Sequence, residues 1–113
     1  MIRNLALAAL GAAIVLSAGL GEASAASFNC RTATLAAEKA VCTGPTLSQL
    51  DDNLDYWYGR AKLRARYFDQ TSWLRRGQRR WLAERNSCGW DRGCLRSAYR
   101  ERIEWLRNYA EHV

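Results

Sequence analysis

The sequence predicts an all-α protein: a small disulfide-stapled helical bundle in which a short first helix is followed by three longer helices. Three observations carry that prediction. Apolar residues recur at three- and four-residue steps through four segments, and no segment alternates with the two-residue period of a strand. Capping residues, one proline and several glycines punctuate these segments where helices should start and stop. The four cysteines, Cys30, Cys42, Cys88 and Cys94, all lie beyond the N-terminal apolar stretch, an even number suited to two bridges.

The chain opens MIRNLALAALGAAIVLSAGLGEASA. Arg3 supplies a positive start, an apolar run extends from Leu5 to Leu20, and Ala23-Ser24-Ala25 fits the small-x-small pattern of a secretory cleavage site. Glycines interrupt the run, which is short for a membrane span. Ser27-Phe28-Asn29 precedes Cys30, so lipid anchoring there is not expected. The expectation is a cleaved signal peptide over residues 1–25 and a single periplasmic or secreted domain over residues 26–113, with no transmembrane segment in the mature chain. That domain holds 88 of the 113 residues, and because Arg3 and Glu22 leave together it keeps the net charge of +6. So short a chain buries a limited core, and covalent staples compensate.

Leu35 to Cys42 (LAAEKAVC) reads as the short helix, stopped by Thr43-Gly44-Pro45. Pro45 then opens a long helix with Leu47, Leu50, Leu54, Trp57 or Tyr58, Ala61, Ala65 and Phe68 on one stripe. Asp51, Asp52 and Asp55 lie towards its start and Arg60, Lys62, Arg64 and Arg66 towards its end, which suits the helix dipole. In TSWLRRGQRRWLAERNSC, Leu74, Gln78, Trp81, Leu82 and Arg85 share a face, with Thr71 or Ser72 as the expected cap. The last segment repeats the pattern through Leu95, Ala98, Tyr99, Ile103 or Arg102, Leu106 and Ala110. Between these two helices lies RNSCGWDRGCL, where Gly89 can end one helix in the left-handed conformation and Asp91 can cap the next. Local spacing favours the pairs Cys30–Cys42 and Cys88–Cys94, each stabilising by roughly 2–3 kcal/mol. A zinc knuckle or a redox centre would call for C-x-x-C pairs or several histidines, and the sequence has no C-x-x-C and a single histidine.

Several of these residues together resemble a known family. Phe28-x-Cys30, Glu38-Lys39-Ala40-Val41-Cys42, Pro45-x-Leu47-x-x-Leu50-Asp51, Gln78-Arg79-x-Trp81-Leu82-x-x-Arg85-x-x-Cys88 and Cys94-Leu95-x-x-x-Tyr99-x-x-Arg102-Ile103 look like the LprI-type lysozyme-inhibitor domain. The resemblance covers nearly all of residues 26–113. It implies an exported, helical, disulfide-bonded domain named for inhibition of lysozyme, and it brings no catalytic residues. One departure is that Leu35-Ala36-Ala37-Glu38 stands where members often carry Ser/Thr-Pro-x-Glu, so Thr34 becomes the candidate cap of the first helix.

Catalysis, cofactors and metals are not expected. The single histidine, His112, is the penultimate residue, and no serine or free cysteine has a candidate base beside it. Asp51-Asp52-Asn53-Leu54-Asp55 matches a diphosphate-binding DDxxD pattern, but such sites need a large helical cavity and a second metal motif. Binding is the remaining class. Arginines cluster at Arg60, Arg64 and Arg66 around Lys62, and at Arg75, Arg76, Arg79 and Arg80; intrahelical pairs such as Arg80–Glu84 and Arg100–Glu104 would offset part of that charge. Five tryptophans and five tyrosines are many for this length, with Trp81, Leu82 and Tyr99 expected inside and Trp90, Tyr56 and Trp73 outside. Trp90, Asp91 and Arg92 form the candidate partner-binding tip, aimed at lysozyme. The alternative is a basic envelope protein that binds anionic surface polymers or lipid headgroups. Nucleic acid is a poor partner for an exported domain. Lysozymes are often basic themselves, so the first reading demands close complementarity and the second demands salt sensitivity.

Overall fold

A computed structural model describes residues 27–112. The expected signal peptide, Ala26 and Val113 lie outside the described residues. A 3-10 turn at Cys30–Thr32 leads into four helices, α1 (Ala36–Thr43), α2 (Pro45–Tyr67), α3 (Thr71–Ser87) and α4 (Arg92–Glu111). The all-α class and the order of one short helix before three longer ones follow the periodicity of the sequence. No described helix is long and apolar enough to cross a membrane.

The core lies where the apolar stripes meet. Leu47, Leu54, Ala61 and Ala65 of α2, Leu74 and Trp81 of α3, and Leu95, Tyr99 and Leu106 of α4 are buried, with Ala37, Ala40 and Val41 of α1 closing one end. The most extensive interface joins α2 to α4. The four buried alanines let helices approach closely, while the leucines and aromatics fill the space between them. Phe68, expected on the α2 stripe, is instead largely exposed, because it lies just past the end of that helix.

The helix ends show three departures from local expectation. The cap of α1 is Leu35 rather than Thr34, and Leu35 has no side-chain acceptor. Glu38 compensates by reaching back to the backbone N–H groups of Thr34 and Leu35, at 3.2 and 3.3 Å. Gln70, rather than Thr71 or Ser72, precedes α3. The reason is the turn before it: Asp69 adopts a left-handed φ of 57°, Asp69 N–H donates to Arg66 C=O, and Gln70 N–H donates to Ala65 C=O. That is a Schellman closure of α2, built on aspartate where glycine is usual, and it passes straight into α3.

Two disulfides, Cys30–Cys42 and Cys88–Cys94, have Cα separations of 5.8 and 5.6 Å, within the ordinary range. The first ties the 3-10 turn to the end of α1. The second ties the end of α3 to the first turn of α4. Gly89, with φ of 58°, turns the chain between them, and Asp91 caps α4 by accepting from Cys94 N–H at 3.1 Å.

Candidate functional site

The turn over residues 88–94 separates the three candidate tip residues. Trp90 is 58% exposed. Asp91 is exposed, but one of its oxygens is committed to the α4 cap. Arg92, although solvent-exposed, lays its guanidinium against Gly44, the buried residue between α1 and α2. A methyl group at Gly44 would displace that guanidinium, the far end of a flexible side chain, so the contact depends on the glycine. Trp90 is therefore the projecting group, and Arg92 lies against the junction of α1 and α2.

Several side chains on the helical stripes converge elsewhere, on a buried polar network. Asp51 on α2 is 2% exposed, and its two oxygens accept from Tyr99 Oη at 2.8 Å and Ser27 N–H at 2.6 Å. Tyr99 Oη in turn accepts from Arg85 Nη1 at 3.2 Å. Arg85, 4% exposed, also donates from Nε and Nη2 to Asn86 Oδ1. Its guanidinium carbon lies 5.5 Å from the centroid of Phe28 and 5.8 Å from that of Trp81. A hydroxyl thus bridges a buried carboxylate and a buried guanidinium, with aromatic rings completing the cation's surroundings. Burial and the Asp51 carboxylate push the Tyr99 hydroxyl well above the usual tyrosine range, with Arg85 acting in opposition. Trp81 reinforces the cluster, packing edge-on against Tyr99 at 5.1 Å and donating from Nε1 to Ala98 C=O at 2.9 Å.

A recess of about 380 Å³ opens beside this network, lined in part by Phe28, Asp51, Tyr58, Gln78, Trp81 and Arg85. Asp51 and Arg85 already have protein partners, and Gln78 Oε1 accepts from Arg102 Nε at 3.0 Å. The acids of the DDxxD pattern do not converge: Asp51 points into the core while Asp52 and Asp55 are exposed. Slight burial, with Asp51 and Asp55 nearby, raises the Asp52 carboxyl above its ordinary value. No group of three or more metal-ligating side chains occurs among the described residues.

Asp51, expected with Asp52 and Asp55 only to suit the dipole at a helix start, is instead a buried core residue. Its signal was positional. Asp51 falls four residues after Leu47 and three before Leu54, on the buried stripe, as Arg85 falls four after Trp81. Opposite charges on two apolar stripes must each find hydrogen-bonding partners in the interior.

A third region joins arginines to aromatics along α2, α3 and α4. Trp105 and Tyr109 stack nearly parallel, 5.5 Å apart, and Trp73 lies 5.7 Å from each. Arg102 sits 4.6 Å over Trp105, and Arg64 sits 5.2 Å over Tyr109 and 5.0 Å over Phe68. Nε and Nη1 of Arg64 and Nη2 of Arg102 are buried without a hydrogen-bond acceptor. Trp73, Trp105 and Phe68 nevertheless keep substantial exposure. Helical spacing makes the Arg102–Trp105–Tyr109 row legible, but Arg64 and Trp73 join it only through the packing of three helices.

Against known proteins, the chain matches no family model, no curated protein and no solved structure.

Proposed function

We propose that this chain is a non-catalytic exported binding domain that inhibits lysozyme, in the cell envelope or outside the cell, with the Cys88–Cys94 turn as its contact. The observation that supports this reading is Trp90, a large aromatic side chain 58% exposed at a point held rigid by a disulfide, a helix cap and a left-handed glycine. Such an anchor loses little freedom on binding. In a lysozyme cleft Trp90 would lie where a sugar ring stacks, and Arg92, swinging off Gly44, would pair with a cleft carboxylate. Two disulfides in a helical domain are in keeping with an oxidising compartment.

The test is a cell-wall lysis assay with purified mature protein against several lysozyme classes, beside a Trp90→Ala variant. The expected result is inhibition by the parent and a clear loss in a variant of equal thermal stability. Absence of inhibition by the parent removes this reading for the enzymes assayed, and equal inhibition by both clears Trp90 of a part in it.

A second reading, binding of anionic envelope polymers or lipid headgroups, is favoured by one separate observation. Arg102 beside the exposed ring of Trp105, and Arg64 beside the exposed ring of Phe68, hold guanidinium nitrogens without acceptors. Binding of this kind weakens steeply with added salt, whereas inhibition of a like-charged enzyme does not.

A further inference from the structure

Between α3 and α4 lies a recess of about 260 Å³ lined by Trp73, Leu74, Gly77, Arg80, Arg102 and Trp105. Helix periodicity builds it. Trp73, Gly77 and Arg80 fall at steps of four and three on α3, Arg102 and Trp105 lie three apart on α4, and the two rows face one seam. Gly77 leaves the floor open: a methyl group there would lie 3.5 Å from Arg102 Nη2 and 3.7 Å from Arg80 Nη2. The two indoles are 5.7 Å apart with their planes at 50°, an open angle rather than a parallel slot.

The charge in this recess is one-sided. Two guanidinium groups line it and no carboxylate does. Arg102 Nε is engaged by Gln78 Oε1, but its Nη2 is covered and has no acceptor. Burial, assisted by the like charge of Arg80 and opposed by Tyr58 and by Glu84 outside the recess, loosens the hold of Arg102 on its proton, a cost that an anion would relieve.

We propose that this recess binds a single sugar ring bearing a carboxylate, a uronic-acid unit of an acidic polysaccharide. The C–H face of a pyranose packs on the exposed indole of Trp73, since Arg102 and Tyr109 lie against Trp105, and the carboxylate accepts from the arginine forks. A puckered ring fits walls set at an angle, whereas a planar aromatic acid is best served by parallel faces. The volume falls below the roughly 300–1,000 Å³ of pockets that take drug-sized ligands, which suits one ring of a longer chain. The inference rests on the anionic-polymer reading and narrows it to one place and one chemistry.

Intrinsic tryptophan fluorescence and calorimetric titration of the purified protein provide the test, with three probes: trigalacturonate, the neutral galactose trimer and inorganic polyphosphate. Trigalacturonate is expected to bind at least about tenfold more tightly than the neutral trimer, as a charge-assisted hydrogen bond to arginine implies. Gly77→Leu, which fills the recess, and Arg80→Gln, at an exposed position, should each weaken trigalacturonate about tenfold with helicity by circular dichroism retained. Polyphosphate binding should be indifferent to Gly77→Leu. If trigalacturonate binding is equally indifferent to both substitutions, the recess is overturned while a diffuse basic face stands. If neither polyanion binds, both readings fall.

Discussion

Removing the hydroxyl of Tyr99 is the sharpest perturbation of this fold. Tyr99 is wholly buried, and its Oη donates to Asp51 and accepts from Arg85, each itself almost fully buried. Tyr99→Phe keeps the ring and its edge-on contact with Trp81, so packing is nearly unchanged. What it deletes is two hydrogen bonds to charged groups, each contributing about 1.5–3 kcal/mol, and it leaves a carboxylate and a guanidinium facing one another without their bridge. The expected loss is about 3–5 kcal/mol, a large part of the roughly 5–15 kcal/mol that holds a typical domain together. For a domain of this size the melting temperature should fall by at least about 12 °C. Thermal and urea unfolding followed by circular dichroism measure this, with Tyr109→Phe as control, because the Tyr109 hydroxyl bonds Gln70 at the surface. Combining Tyr99→Phe with Asp51→Asn should cost clearly less than the two single losses added, since both act on one network. A Tyr99→Phe loss below about 1 kcal/mol, no greater than the control's, would refute the claim that this hydroxyl joins two buried charges.

The same network predicts an alkaline limit to stability. In the unfolded chain Tyr99 ionises near pH 10, whereas in the fold burial and Asp51 hold its proton to higher pH. The folded state therefore binds more protons above about pH 10, and stability, intact below that value, falls as pH rises past it; stability measured across this range should show a flatter alkaline limb in Tyr99→Phe. Trp81→Ala removes a buried indole together with its hydrogen bond to Ala98, and should lose roughly 3–5 kcal/mol by urea unfolding. Asp69→Gly relieves a left-handed backbone that costs a residue with a Cβ about 1–2 kcal/mol, against about 0.4–1 kcal/mol of freedom that glycine adds to the unfolded chain, so the same measurement should show a net gain of roughly 0.5–1 kcal/mol.

By itself the sequence determined most of what depends on neighbours along the chain, the caps of α1 and α3 and the Asp69 closure of α2 excepted. Periodicity marked the four helices and most of the core, including Leu54, Trp81, Leu95 and Leu106, because side chains three and four residues apart must share a face. Local spacing pointed to both disulfides, and Asp91 and Gly89 announced the turn that carries Trp90. The tertiary structure alone decided what depended on which stripes meet. Asp51, Arg85 and Tyr99 each sat visibly on an apolar face, yet their partnership spans three helices, and the hydroxyl bond from Tyr99 to Asp51 crosses 48 residues of sequence. Arg92 belonged to an expected tip until the junction of α1 and α2 came within its reach at Gly44. Gly77 carries no signal of its own in the sequence, and only packing brings Trp73, Trp105 and Arg102 around it. Helical phase is a one-dimensional quantity, but the angle and register at which helices pack emerge from the whole core at once, and these set which side chains become neighbours.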